Sequence, residues 1–343
     1  MAKILAIRFS ALGDVAMTVP VLYSFAKAYP QHQLVMLSRS ALAPLFAYAP
    51  SNVTFKGVDL KNGYKGFGGL LRLYSELRGE KFDAVVDLHD VLRTKVLRLF
   101  FLMDGVRVAH IDKGRREKHR LVSARNKVKS PLESSFSRYR DVFRCLGYSF
   151  PFNFKSVFES GKSFPSLPEG FGEKEEGCKW IGIAPFAAHK GKIYPLLFQH
   201  KVVRLLSSVS GVRIFLFGGG NREKEILSAW EKEFPCVTSV VGCLKMDEEL
   251  ALMSKLDAMF TMDSGNMHLA SLVGTPVVSV WGATHPYAGF MGWNQQPENI
   301  IQLDLPCRPC SVYGNRPCRW GDYRCLNGIS PEKIVERIKK LTE

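Results

Sequence analysis

Asp263, Ser264, Gly265 and His268 lie within FTMDSGNMHLASLVGTP, residues 260–276, where an apolar run stops abruptly in an acid, a hydroxyl and a glycine. Such a turn, placed after a strand and opening a helix, aims free backbone N–H groups past the strand's carboxyl end, which makes it a place to hold an anion. Three more polar loops follow apolar runs in the same way: SALGDVAMT at 10–18, PFAAHKGKIYP at 185–195 with Lys190 and Lys192, and FGGGNREKE at 217–225 with Glu223. None is a Walker loop, and none has Gly-x-Gly-x-x-Gly with a ribose-binding acid after it, so a nucleotide would be held by another arrangement. On residue type alone, Asp14 is either a general base or the N-terminal cap of the helix that follows it. Glu223 is either a ligand-binding acid or a first-turn acid favoured by the helix dipole, and His268 either approaches a phosphate or is a packed imidazole.

Loops of this kind need alternating strands and helices to position them. KILAIRF (3–9) predicts a strand, SALGDVAMTVP a glycine-bearing turn, and VLYSFAKAYP a helix stopping at Pro30. QLVMLS (33–38) and FDAVVDLH (82–89) predict further strands, followed by a helical stretch ending near Pro50 and by helical VLRTKVLRLFFLM. Prolines, glycines and the run EKEE break the rhythm over 151–176. It restarts with strands at 180–184, 212–217, 237–241, 258–262 and 276–281, separated by helices at 196–208, 224–234, 247–254 and 267–273. The expected organisation is a Rossmann-like domain over 1–160, a linker over 161–176, a second Rossmann-like domain over 177–330 and a closing helix over 331–343. Two doubly wound parallel sheets of this kind are expected to face each other across a cleft, with ligands at their carboxyl edges.

The formal net charge of +15 is unevenly spread: residues 1–160 hold 26 Lys and Arg against 13 Asp and Glu, and the remainder 21 against 19. The densest part is KGRREKHRLVSARNKVK (113–129), where eight basic residues meet only Glu117. A solvated loop is one reading of that run; its concentration in one half favours a polyanionic partner. Arg8 and Asp14 interrupt the first apolar run, so neither a signal peptide nor a membrane span fits, and a cytoplasmic location is expected. Cys307, Cys310, Cys318 and Cys325 have a spacing that a structural zinc could accept, the alternative being a thiol-rich loop.

SALGDVAMTVPVLYSF, PFAAHKGKIYP, FGGGNREKE, VGCLKMDEELALM and DSGNMHLASLVGTPVVSVWGATHPYAGF resemble, in order and spacing, the heptosyltransferases of glycosyltransferase family nine, from residue 4 to about 340. The most specific element is Asp-Ser-Gly-x-x-His-Leu-Ala with its Gly-x-Pro and Trp-Gly-x-Thr-x-Pro. The resemblance implies a GT-B architecture with the acceptor held by the first domain and the nucleotide sugar by the second. It also implies inverting transfer with no cofactor and no catalytic metal, in keeping with the lack of an Asp-x-Asp motif to carry a diphosphate-bound cation.

By the same resemblance Asp14 is the general base, Lys192 neutralises the leaving diphosphate with help from Lys190, and Glu223 contacts the nucleoside. Asp263 would bind sugar hydroxyls, Ser264 and Gly265 would bring N–H groups to the diphosphate, and His268 would support that turn or approach a phosphate. Arg115, Arg116, Lys118 and Arg120 would meet the phosphates of a lipid-linked lipopolysaccharide inner-core acceptor and, with Lys56, Lys61 and Lys65, the anionic inner face of the membrane. The simplest donor is ADP-heptose. Ala187 and Ala188 stand where hydroxyl residues are common in the family, and Ala283 and His285 where Pro and Asp are common, which bears on the donor. A nucleotide-sugar epimerase or hydrolase of the same fold class is an alternative enzyme. A nucleic-acid binder is the other alternative, and it lacks aromatics interleaved in 113–129.

Overall fold

The computed structural model describes residues 1–159, 165–168 and 170–343. Its compact units are Met1–Lys113 with Glu133–Lys162, and Gly114–Leu132 with Ser163–Glu343. In the first unit Lys3–Ile7 (β1), Gln33–Arg39 (β2), Val53–Val58 (β3), Ala84–Asp87 (β4) and Arg107–His110 (β5) form a parallel sheet of order β3-β2-β1-β4-β5. Ile4 to Ile7 and Ala84 to Asp87 are buried without alternation, as strands covered on both faces must be. The connecting helices are Leu12–Ala16 (α1), Val19–Ala28 (α2), Gly66–Arg78 (α3) and Leu92–Met103 (α4). Where a helix ending near Pro50 is expected, Ser40–Phe46 forms a 3-10 segment containing Pro44, whose missing N–H disfavours a regular α-helix.

The chain then leaves this unit. Arg115–Leu121 (α5) belongs to the second unit, and the return begins with Ser135–Cys145 (α6), capped by the Ser134 hydroxyl accepting the Ser137 N–H at 3.1 Å. A single boundary at residue 160 misses this excursion. It is held by local contacts: the Leu132 N–H donates to the Tyr287 carbonyl at 2.9 Å, and the Lys118 ammonium lies 4.4 Å from the Phe290 ring centre.

The second unit carries Lys179–Ala184 (β6), Val212–Leu216 (β7), Val237–Ser239 (β8), Ala258–Met262 (β9), Val277–Val280 (β10) and Ile300–Ile301 (β11), all parallel, in the order β11-β10-β9-β6-β7-β8. Its helices are Leu196–Ser207 (α7), Asn221–Glu233 (α8), Met246–Ser254 (α9), Gly265–Leu272 (α10), Arg324–Asn327 (α11) and Pro331–Thr342 (α12). The last has Glu332 in its first turn and Lys339 and Lys340 in its last, matching the helix dipole, and buries Ile334, Val335 and Ile338 in the unit's core. Both units are therefore doubly wound parallel-sheet α/β folds. Among the described residues no helix is long and apolar enough to cross a membrane.

Candidate active site

Strand order reverses between β1 and β4 in the first sheet, so the loops leaving their carboxyl ends are neighbours at the usual ligand position of such a fold. Asp14 stands in the first turn of α1, where its Oδ2 accepts the Ala11 N–H at 3.1 Å and lies 2.9 Å from the Arg8 guanidinium. It caps the turn and yet stays partly open to solvent. Arg8 is buried; it also donates to the Leu88 carbonyl and sits over the Tyr139 ring at 5.5 Å, and the Tyr139 hydroxyl donates to the Asp14 carbonyl at 3.3 Å.

The facing loop folds around Asp87. Its Oδ1 accepts the N–H groups of His89 and Asp90, both at 2.9 Å, while Oδ2 lies 3.1 Å from Arg98. This turn sets the His89 ring against the end of β1, with Nδ1 accepting the Phe9 N–H at 3.3 Å and Nε2 3.5 Å from the Ser10 hydroxyl. Burial first, and then the Arg8 and Lys113 charges, push His89 down to about 4. The neutral ring accepting at Nδ1 carries its proton on Nε2. Sequence reasoning passes over Arg8, Asp87 and His89 because DLHD reads as the end of a strand; the signal it offers is a polar run directly after an apolar one, as in the other loops.

In the second sheet the reversal falls between β6 and β9. There Lys192 Nζ lies 2.9 Å from Asp263 Oδ2, with both side chains largely buried. Ser264 takes the N-cap position of α10 but makes no capping bond; its hydroxyl is 3.1 Å from that of Thr261. The helix beginning at Gly265 thus presents N–H groups that its own backbone cannot satisfy. His268 is buried one turn into α10, and Glu223 Oε2 accepts the Gly219 N–H at 2.7 Å, closing the start of α8. A Cβ on Gly191 would sit 2.8 Å from the Gly314 carbonyl oxygen, and Gly314, at φ +76°, lies where a Cβ would meet Lys192 Cγ at 2.6 Å. Close backbone approach, available only to glycine, holds the lysine stem in place.

A cavity of about 850 Å³ opens beside these loops, within the size of small-molecule sites. Lys190, Arg222, Glu223 and Tyr323 line it together with Ala187 and Leu326, whereas Lys192 and Asp263 do not. Arg222 and Tyr323 are wall residues that the sequence reading does not single out.

The segment bearing Cys307, Cys310, Cys318 and Cys325 is anchored by hydrogen bonds to its main chain. All four are free thiols, and among the described residues no group of three or more His, Cys, Asp or Glu side chains is placed to hold a metal ion. The structure thus lends the zinc expectation no support. Arg308 does the anchoring: fully buried, it donates to the carbonyls of Gly282, Leu303 and Thr284 and to the Gln302 side chain. Lys127 adds bonds to the carbonyls of Cys307 at 2.9 Å and Pro309 at 2.8 Å. Arg308→Met is expected to lower stability by roughly 3 kcal/mol or more, since several buried acceptors lose a charged donor. A shift of the urea midpoint at unchanged m-value would measure it. Within 113–129, then, Lys127 and the buried Lys118 serve the fold, while Arg115, Arg116 and Arg120 lie on the exposed side of α5.

The sequence pattern of Glycosyltransferase family 9 (heptosyltransferase) matches residues 70–320, most of the chain. The protein is a member of glycosyltransferase family 9. This makes it an enzyme of glycosyl transfer. It is 23% identical over 338 residues to lipooligosaccharide heptosyltransferase 2 of Campylobacter jejuni, covering 96% of each chain, and 22% identical over 364 residues to lipopolysaccharide heptosyltransferase 2 of Escherichia coli, covering 99% and 98%. Among solved structures, the family 9 glycosyltransferase of Veillonella parvula aligns with a TM-score of 0.74 at 19% identity, covering 99% of this chain and 97% of that one. E. coli heptosyltransferase WaaC, solved with ADP, aligns at 0.70 and 18% identity, covering 99% of each. These likenesses establish the GT-B fold for this family 9 enzyme.

Proposed function

We propose that this glycosyltransferase moves a heptose from ADP-heptose to a lipopolysaccharide inner-core acceptor, with inversion and without a catalytic metal, at the cytoplasmic face of the membrane. The first unit would hold the acceptor and the second the nucleotide sugar. What carries the reading is the opposite character of the two switch points: a solvent-reaching carboxylate, Asp14, in one, and a buried cation, Lys192, beside a helix start in the other. The names of the C. jejuni and E. coli relatives, and solved complexes of WaaC with ADP and with ADP-2-deoxy-2-fluoro heptose, support the donor and acceptor assigned.

In this scheme the acceptor hydroxyl gives its proton to Asp14 as its oxygen bonds the anomeric carbon, and the bond from that carbon to the diphosphate breaks with its electron pair on the leaving group. A nucleoside diphosphate leaves as a stabilised anion, so the second carboxylic acid that inverting glycoside hydrolases need is dispensable. Lys192 and the N–H groups of Ser264 and Gly265 would stabilise it, Asp263 would hold sugar hydroxyls, and Glu223 with Lys190 and Arg222 would line the nucleoside side. Arg115, Arg116 and Arg120 remain candidates for acceptor phosphates although their helix belongs to the second unit; Lys118, on the same helix, packs on Phe290. His89, proton on Nε2, would donate to an acceptor oxygen near Asp14.

The test is a melting-temperature panel with ADP, UDP, GDP and CMP, with and without EDTA. The expected result is a rise with ADP that EDTA leaves unchanged. A rise with UDP or GDP alone would replace the donor, and none with any nucleotide would overturn the reading. Product NMR reporting the same anomeric configuration in donor and product would overturn inversion.

A further inference from the structure

On their inner sides α3 and α4 fill the first unit's core with Leu73, Leu77, Leu97 and Phe101. The outer side is apolar as well. Leu92, Val96, Leu99 and Met103 recur on α4 at the spacing of a second helical stripe, and Leu92, Leu99 and Met103 are 78%, 55% and 75% exposed. On α3, Phe67 is 61% exposed, and its ring centre lies 6.3 Å from that of Phe100 on α4, so the two helices share one patch. Among the described residues eleven large hydrophobic side chains are exposed, and six of them belong to α3 and α4. That is concentration, unlike the single exposed side chains any surface shows.

Charge decides what covers the patch. α4 carries Arg93, Lys95 and Arg98 and no acid before Asp104 at its end, which lies 3.0 Å from Arg78, and α3 carries Arg72 and Arg78 with Glu76 as its own single acid. Glu76 is already engaged, accepting the Tyr64 hydroxyl at 2.6 Å. Arg98 reaches in to Asp87 and Lys95 lies 3.6 Å from Asp90, while Arg93 on one side of the apolar stripe and Lys95 on the other have long stems that can lie along it. Two copies of this face meeting across a two-fold axis would set an excess of bases against itself, because its acids, Glu76, Asp90 and Asp104, are already paired within the protomer with Tyr64, Lys95 and Arg78. A bilayer with anionic headgroups answers both features, its acyl boundary taking Leu, Met and Phe and its headgroups the arginines and lysines.

We propose that the outer face of α3 and α4 docks this protein on an anionic lipid surface. Leu92, where the stripe begins, follows Asp90 by two residues, so a lipid-seated α4 keeps the carboxyl edge bearing Asp14 and His89 at the membrane. That consequence rests on the lipid-linked acceptor proposed above; the docking itself does not.

Co-sedimentation with vesicles of phosphatidylethanolamine and phosphatidylglycerol, against vesicles of phosphatidylcholine alone, tests it. The protein should pellet with the anionic vesicles and be released by salt, and the double variant Leu99→Glu/Met103→Glu should lose about tenfold or more in partitioning. The same variant should keep its melting temperature and its turnover of a soluble, lipid-free acceptor saccharide while losing turnover of a vesicle-embedded one. Equal pelleting of variant and parent, or no pelleting of the parent, overturns the proposal. A dimer that the double variant abolishes, seen by sedimentation velocity, also overturns it, by assigning the face to a second copy. Absence of an ADP-induced melting shift would count against the donor reading alone, because vesicle binding does not require it.

Discussion

Asp14→Asn should lower kcat by about two to four orders of magnitude while leaving the affinity for the nucleotide within about twofold. The amide is nearly isosteric and keeps an oxygen that can accept the Ala11 N–H, so the start of α1 survives the change. What it loses is the ability to take the proton that the proposed mechanism sends to Asp14. The separation matters because the carboxylate has a structural task in plain view, capping the turn beside Arg8. If capping were its whole role, Asp14→Asn would turn over nearly as the parent does and Asp14→Ala would fail by unfolding. Stopped-assay turnover at saturating donor, with nucleotide affinity measured by calorimetry, distinguishes these cases. Turnover retained in the asparagine variant removes Asp14 from the chemistry.

How far such a site can be read in advance depends on what each residue needs in order to be visible. Central strands such as β1, β6 and β9 are largely apolar and buried without alternation because helices cover both faces, and such runs stand out in the sequence. The edge strands β3 and β5 contain Lys56, Gly57, Arg107 and His110, so nothing marks them locally as strands. The loops after the central strands are legible for the same reason as the strands, since a polar turn after an apolar run has few other uses. Pairing between loops is not: Lys192 and Asp263 are far apart in the chain, and only the sheet order makes their strands neighbours. The excursion through α5 misleads in the other direction. Lys118 and Lys127 read as part of a basic run that meets a polyanionic partner, but one packs on an aromatic ring and the other satisfies main-chain carbonyls. The spacing of the cysteines, for its part, says nothing of the buried Arg308 that is bonded to the backbone around them.

The Lys192–Asp263 pair offers the other large effect, and a way to separate folding from chemistry at one site. Lys192→Met should depress kcat/KM by roughly two orders of magnitude, the scale of removing a preorganised charge from a developing anion. It should also cost about 3 kcal/mol of stability, because Asp263 is left buried beside no cation. Adding Asp263→Asn removes that uncompensated charge, so the double variant should regain most of the lost stability, and the two substitutions should be strongly non-additive in urea denaturation. Turnover should stay low under the proposed roles, in which Lys192 meets the leaving diphosphate and Asp263 the sugar hydroxyls, since the double variant restores neither contact. Recovery of both stability and turnover would mean that Lys192 serves only to balance Asp263, and the charge that receives the leaving group would then have to come from Lys190 and Arg222 on the wall of the cavity.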